Sequence, residues 1–534
     1  MSRDLLWRCL GDMGIHGDFL QNIKNMYKKV TIKVCDKGCV SESFESKIGV
    51  KQGDPLSPLL FGLFIDRIEK VLENMCPHVG VEIRNLLGEG MIRVLLYADD
   101  LVLLAEDAQG LQQLLEALDS FCSNQGMEVN VKKTEVVIFN KKWAHRNHNE
   151  VFTVKNNTIQ VVDQFTYLGV LFDGDVGTRR AAKSSLTKGR RAMFAMLRRC
   201  TALGIDNVHV KCHLFDHLVV PILCYGCEIW GADIIKSCRN LEDSRQVKEI
   251  EKMHRKFLKI CLGVRDSTPD GIVMYELRRQ PIIIKIVKQI FNFWNRIQVR
   301  DDDEDLVKMA MRDNWNLAMN GKKCWSSVVK DLVAEYGEIE INHDNLIDTE
   351  EMVYRMGEKW IEGISRHNEL GIRDIPDCHR RGFKAFTYFH WFAQDPETSK
   401  RTTFWYNLNI WSRIQVVARF RLGSHHLEIE KGRWNRNYVC RSHRICRMCN
   451  LRVREDELHI MYCPSYFEFR CQYPNIFQYG WWRCDNEDVA MNWIMNGGSS
   501  DTRNYWNDLA VFLQKCWRKR HEVLENMSRE DIVE

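Results

Sequence analysis

Two groups of side chains in this sequence are of types and spacings that could do chemistry. The first is Asp99 and Asp100, set within Met91 to Ala105, MIRVLLYADDLVLLA. Runs rich in Val and Leu on either side predict two strands, and so a buried β-hairpin with adjoining carboxylates at its turn. Carboxylates held side by side repel each other unless cations sit between them. Mg²⁺ is the natural counter-ion, because it takes oxygen ligands and usually arrives with substrate phosphates. The turn has neither the Gly nor the Asn that a tight hairpin wants, so the hairpin alone does not explain these residues. The second group is Cys446-x2-Cys449-x9-His459-x3-Cys463, three thiols and an imidazole at a spacing that fits tetrahedral Zn²⁺. Cys440 and His443 are close enough in sequence to serve as alternative ligands, and Cys471 is expected in the core. A zinc ion held there would be sufficient to staple a small fold.

The elements that must position these groups can be read from periodicity. Asp4 to Tyr27 carries apolar residues at Leu5, Leu6, Cys9 and Leu10, then Phe19, Leu20, Ile23 and Met26, predicting two short helices broken at Gly14 to Gly17. Val30 to Val34 and Val40 to Ile48 predict a hairpin. Ser57 is expected as an N-cap with Pro58 at the first helical position, followed by an apolar face from Leu60 to Leu72. Leu111, Leu114, Leu115, Leu118 and Phe121 mark another amphipathic helix.

Set beside Tyr97-Ala98-Asp99-Asp100, three further segments carry a resemblance. Gly49 to Asp66, GVKQGDPLSPLLFGLFID, resembles the nucleotide- and template-contacting motif of reverse transcriptases from non-LTR retrotransposons. Gly126 to Phe139, GMEVNVKKTEVVIF, is similar to the next palm segment of that family, and Phe165 to Asp173, FTYLGVLFD, to the hairpin that positions the primer end. The resemblance implies an RNA-directed DNA polymerase. Asp99 and Asp100 would be catalytic and hold Mg²⁺. Gln52 and Gly53 would lie beside the incoming nucleotide and template base, Lys133 near the nucleotide phosphates, and Tyr167, Leu168 and Gly169 at the primer. It also implies a further carboxylate from an earlier strand, ahead of a stretch like Asp4-Leu5-Leu6-Trp7. That strand and the fingers are expected to be missing before Met1, leaving a catalytically incomplete polymerase, and Asp4 itself matches a helix residue rather than a metal ligand.

The fold expected is an incomplete α/β polymerase palm, then a mostly α-helical thumb and connector, with a small zinc-binding module near the C-terminus. The boundaries expected are 1–145 for the palm, 150–300 for the thumb, 301–410 for the connector, 411–475 for the zinc module and 476–534 for a helical tail. Thr178 to Cys200 holds eight Lys or Arg and no acid, and Arg413 to Arg454 holds eleven basic residues against Glu428 and Glu430. These stretches are where a phosphate backbone would bind. In the first, Met193, Phe194 and Leu197 are expected on the apolar side of a basic helix; such helices are usually solvated faces, but this one follows the primer-end hairpin as a thumb would. Arg190, Arg191, Arg433 and Trp434 are the candidate contacts to nucleic acid. Cys224 and Cys227, spaced like a metal pair, lie in an apolar run and read as core thiols. Asp301 to Asp305, five acids in a row, is a candidate boundary. Tyr505 to Trp517 predicts a closing helix.

Composition bounds the rest. With 45% hydrophobic and 28% charged residues over 534, the chain has the balance of a soluble globular protein of several domains. Its twenty cysteines stand mostly singly in apolar contexts such as Cys122, Cys212 and Cys261, as reduced thiols would in an intracellular protein. The N-terminus lacks a secretory pattern, and no apolar run reaches the length of a membrane span. The partners expected are RNA and DNA, with deoxynucleotides if the enzyme is active, in nucleus or cytoplasm. A non-enzymatic reading stands beside it: a remnant that binds nucleic acid through the basic thumb and zinc module.

Overall fold

Helix α1 (Arg3–Asp12) buries Leu6, Cys9 and Leu10, and α2 (Gly17–Tyr27) buries Ile23 and Tyr27. Between them Gly14 and Gly17 take φ of +85° and +65°, angles that residues with a Cβ rarely adopt. The structure is a computed structural model and describes residues 1–85, 88–139, 150–235, 244–300, 305–337, 340–370, 388, 403–434, 439–477, 487–497 and 502–530. The chain divides into two compact units, one of Met1–Arg180 with Ile297–Ser327, the other of Ala181–Arg296 with Val328–Glu534. Of the acidic run at Asp301 to Asp305, the first four residues lie outside the described residues. Among the described residues no single helix is long and apolar enough to cross a membrane.

In the first unit, short strands β1 (Thr31–Ile32), β2 (Cys35–Asp36), β3 (Cys39–Val40) and β4 (Phe44–Glu45) form two nested antiparallel pairs, β1 with β4 and β2 with β3. Helices α3 (Ser57–Ile65) and α4 (Arg67–Met75) follow with Asp66 between them still in helical conformation. Ser57 is the first residue of α3 and not its cap; Leu56 stands at the cap, and its N–H is taken by Asp54 Oδ1 at 2.9 Å. The Ser57 hydroxyl is instead buried against Tyr27 Oη at 3.1 Å, which ties α3 to α2. Leu60 and Phe64 of α3 complete one core with Leu6, Cys9, Leu10, Ile23 and Tyr27.

Strands β5 (Val81–Asn85) and β6 (Gly88–Ile92) pair, as do β7 (Val94–Tyr97) and β8 (Asp100–Leu103). Met91 and Ile92 therefore belong to a neighbouring hairpin. Helix α5 (Ala108–Asn124), capped by the Asp107 carboxylate on the Gly110 N–H, buries Leu114, Leu115, Leu118 and Phe121 as its spacing predicts. It packs with α4 around Ile68, Leu72 and Phe121, and Val94, Leu96, Leu101 and Leu103 lie against this cluster. The β7–β8 hairpin is thus covered on one face only, and Leu95 and Tyr97 on the other are 42% and 63% exposed. The expectation of a buried hairpin is corrected to burial of one face, because alternate residues of a two-stranded sheet reach opposite faces. Strand β9 (Glu135–Val137) runs parallel to β11 (Asn157–Val162), which pairs antiparallel with β10 (Phe152–Val154). The last hairpin is β12 (Gln164–Tyr167) and β13 (Val170–Asp173). A helix from Leu306 to Met319 packs on β5.

The regular elements of the second unit are helices, and its first elements are α6 (Arg179–Ala202, whose first two residues belong to the other unit), α7 (Val208–Leu218), α8 (Val220–Leu223), α9 (Cys227–Ile235), α10 (Arg245–Leu262), α11 (Asp270–Glu276) and α12 (Ile282–Gln298, whose last two residues belong to the other unit). Gly189 of α6 allows close approach, since a Cβ there would stand 3.1 Å from Leu223 Cδ1. Cys122, Cys212, Cys227 and Cys261 are buried, and Cys224 is half-buried. In the interior, Arg421 makes a two-pronged pair with Glu276 at 2.9 Å each, and Glu276 also accepts from Tyr388. The C-terminal helix, Thr502–Glu530, extends well past the Tyr505–Trp517 expected and buries Tyr505, Trp506, Leu509, Phe512, Leu513 and Cys516.

Candidate active site and metal cluster

The apolar alternation of β7 and β8 fixes the register Tyr97↔Asp100, so only Ala98 and Asp99 remain to turn the chain. Ala98 takes φ +53°, the left-handed conformation usually left to Gly or Asn. The expected lack of a turn former is met by strain at Ala98, of the sort found at functional sites. The result is an exposed tip on which Asp99 and Asp100 both face solvent. Two carboxylates there, in no ion pair among the described residues, form a ready oxygen-donor pair for a hard cation.

The β12–β13 hairpin turns through Leu168 at φ +45° and Gly169 at φ +83°, a two-residue turn whose twist matches paired strands. Its Tyr167 stands close enough to Asp100 that burial and that carboxylate together push the phenol above its ordinary value. The Asp100 carboxylate is thus felt at a phenol more than sixty residues on in sequence. Gln52 is exposed beside Gly53, whose φ is +85°, in the loop before α3. Lys133 is exposed in the Asn130–Thr134 turn that leads into β9. Neither Gln52 nor Lys133 makes a side-chain hydrogen bond among the described residues. Asp4 is exposed on α1, and among the described residues it joins no metal-ligating cluster with Asp99 and Asp100.

The family model for "Reverse transcriptase (RNA-dependent DNA polymerase)" matches residues 2–172, the span that holds all of these segments. Residues 2–172 carry a reverse transcriptase domain. The chain is 30% identical over 219 residues to the Pol polyprotein of type-2 retrotransposable element R2DM from Drosophila melanogaster, covering 37% of this chain and 20% of that one. It is 38% identical over 133 residues to the R2 polyprotein of Nasonia vitripennis, covering 23% and 12%. Against the RNA-directed DNA polymerase from mobile element jockey of Drosophila funebris it is 26% identical over 220 residues, covering 40% and 22%. The chain therefore spans less than a third of the length of these curated relatives.

Just past that domain stands a residue to which the sequence pattern assigns no role. Asp173 is buried at the end of β13, accepts from the N–H groups of Asp175 and Val176 at 3.0 Å each, and pairs with Arg180 Nη1 at 2.6 Å. It anchors the start of α6, and the only trace in sequence is an acid ahead of Gly174, Gly177 and two arginines. Along α6, Ala182, Ser185, Leu186, Gly189, Met193 and Met196 are buried. Lys183, Lys188, Arg190, Arg191, Arg198 and Arg199 are exposed. Phe194, expected on the apolar side, is 38% exposed, because helical phase places it four residues on from Arg190 and four before Arg198.

Beyond the reverse transcriptase domain, the ligand atoms of Cys446, Cys449, His459 and Cys463 all lie within 4.8 Å of one another. An Ile445↔Arg454 bridge closes the loop that carries the first two, and a helix from Glu457 to Tyr462, capped by Asp456 on the His459 N–H, carries the histidine. Cys449 Sγ is 3.5 Å from His459 Nε2, and His459 Nδ1 is buried with no hydrogen-bond partner among the described residues. Bonding with Cys463 and burial push the Cys446 thiol up to about 12, whereas the same contact lowers Cys463. Three soft sulfur donors and one imidazole fit Zn²⁺. Cys440 and His443 stand outside this group of four. Cys471 is exposed, not in the core: on the Phe467–Cys471 helix it is Arg470 that turns inward, donating to the Cys463 carbonyl at 2.8 Å. Arg433 and Trp434 close the Glu428–Trp434 helix, and their side chains lie outside the described residues.

Proposed function

We propose that this chain engages a primer–template in RNA-directed DNA synthesis, with Asp99 and Asp100 as the Mg²⁺-holding catalytic pair. The observation that carries the reading is the exposed Asp99–Asp100 tip, whose Asp100 charge is felt at Tyr167 of the β12–β13 hairpin. Bound Mg²⁺ would polarise the transferring phosphate and stabilise its charge. Around it, Gln52 and Gly53 would meet the incoming deoxynucleotide and template base, and Lys133 the nucleotide phosphates. Tyr167, Leu168 and Gly169 would hold the primer end. The α6 cations, Arg190 and Arg191 foremost, would hold the duplex by its phosphates as a thumb does. In this reading 1–145 is palm, 150–300 a thumb, 301–410 a connector, 411–475 a zinc module whose Cys446, Cys449, His459 and Cys463 hold the ion, and 476–534 a helical tail.

A two-metal centre needs carboxylates from more than one strand to hold ions about 3.5–4 Å apart. Among the described residues no third acid gathers with Asp99 and Asp100. A centre supplied by Asp99 and Asp100 alone would bind primer–template without extending it, and that is the outcome expected of this chain. Purified full-length chain is to be given an RNA template, a DNA primer, deoxynucleotides and Mg²⁺, with nucleic-acid binding followed across salt. Salt-dependent binding with no extension supports the reading. Template-directed product abolished by Asp99→Asn would keep the catalytic assignment and overturn the incompleteness; absence of binding at low salt would overturn both.

A further inference from the structure

Helix α7 carries His209, His213 and His217 at successive spacings of four, so their imidazoles line one side of the helix, and all three are exposed. His209 is occupied, its ring lying 4.9 Å from that of Tyr406 and 6.2 Å from that of Trp405. His213 and His217 stand apart from such packing and face each other, with ring centroids 4.1 Å apart and planes tilted by 41°. Nδ1 of His217 lies 2.8 Å from the His213 carbonyl oxygen. A carbonyl only accepts, so this nitrogen carries the proton and a neutral ring presents its lone pair at Nε2. Imidazoles that ligate metals are held this way, one N–H on a carbonyl and the other nitrogen on the ion. Asp216 is already engaged, taking Arg279 through two bonds of 2.6 Å and Lys285 at 2.8 Å.

We propose that His213 and His217 form a surface site for a divalent transition ion such as Zn²⁺ or Ni²⁺, with water completing the coordination. Imidazole nitrogen suits these ions, whereas Mg²⁺ demands oxygen. The site is separate from the Cys446 cluster and does not depend on it.

The test uses the full chain preloaded with one equivalent of Zn²⁺, then titrated with Ni²⁺ in a calorimeter at pH 7.5. Wild type, His213→Ala, His217→Ala and a control, His521→Ala, are compared after circular dichroism shows equal helicity. The expected result is a further equivalent of Ni²⁺ bound by wild type and control. Each α7 variant should weaken it by about a hundredfold, since losing one imidazole removes the intramolecular second bond. No such equivalent in wild type, or its retention in either α7 variant, overturns the site. Failure of the cysteine cluster to take zinc would raise the first Ni²⁺ uptake in all four chains equally, and leave the comparison at 213 and 217 readable.

Discussion

Ala98, at φ +53°, occupies a turn conformation that costs an L-residue about 1–2 kcal/mol. Replacing it with Gly removes that cost and adds back roughly 0.5–1 kcal/mol of chain entropy in the unfolded state. Ala98→Gly should therefore be neutral to stabilising by about 1 kcal/mol, read as the urea midpoint of the unit that holds the hairpin. A clear loss of stability would mean that the methyl group is packed and the turn unstrained. His254 poses a different residue-scale question. It is fully buried on α10, stacked on Phe215 at 5.6 Å, and burial lowers its pKa, with Glu251 opposing and Arg279 and Lys285 reinforcing. Above the ordinary value of 6.5 the ring is neutral folded or unfolded, and it contributes no pH dependence. As pH falls below 6.5 the unfolded chain takes up a proton that the folded chain resists, so stability drops until the folded value is reached. His254→Leu should flatten that acid limb by up to about 1.4 kcal/mol per pH unit, measured by denaturant melts between pH 8 and 5. An unchanged limb would show that the ring is already protonated in the fold.

At the scale of elements, α6 shows what sequence conveys and what it withholds. Eight cations without an acid marked the stretch as basic, and of Met193, Phe194 and Leu197, expected on its apolar side, only Met193 is buried, alongside Leu186 and Met196. The phase of Phe194 was misjudged because Met193 and Phe194 adjoin, and neighbours on a helix point about 100° apart. The hairpin around Asp99 was legible from its flanking apolar runs and that around Tyr167 from resemblance, while their registers follow from alternation and turn length. Ser57 was misread because its partner, Tyr27, lies thirty residues away and local capping rules cannot see it. Likewise the exposure of Cys471 follows from Arg470 being drawn to the Cys463 carbonyl, a contact that apolar context does not report. The element-scale prediction concerns the face that Phe194 shares. Arg190→Ala and Arg191→Ala should each weaken nucleic-acid binding across all sequences and lower the slope of log K against log salt by about 1. Phe194→Ala should weaken binding to single strands without changing that slope, since stacking carries no counter-ions. A slope unmoved by either arginine variant would remove α6 from the interface.

On the scale of the whole molecule, the two units were the least legible feature, because their membership rests on distant contacts. The Leu306–Met319 helix packs on β5, and Met309 Cε comes within 3.1 Å of where a Cβ on Gly90 would stand, over two hundred residues away in sequence. No local pattern encodes that pairing. In the second unit the cysteine cluster is tied to the C-terminal helix at several points. Arg520 reaches Glu455 through bonds of 2.8 and 2.7 Å and Glu428 at 3.2 Å, and Lys519 donates to the Ser465 carbonyl at 2.8 Å. Arg520 and Glu455 are both buried, and breaking one side of such a pair costs about 3–5 kcal/mol. If the cluster holds zinc, the ion's binding energy is spent on folding this loop and, through Arg520, on seating the final helix. Thermal unfolding of the full chain should then proceed in more than one transition, as expected of separate units. A strong chelator should lower the transition of the second unit and leave that of the first in place. Arg520→Met should reproduce part of the shift without removing metal, as measured by zinc content. A chelator that moves neither transition would deny the ion a structural role, and one that moves both together would show that the two units unfold as one.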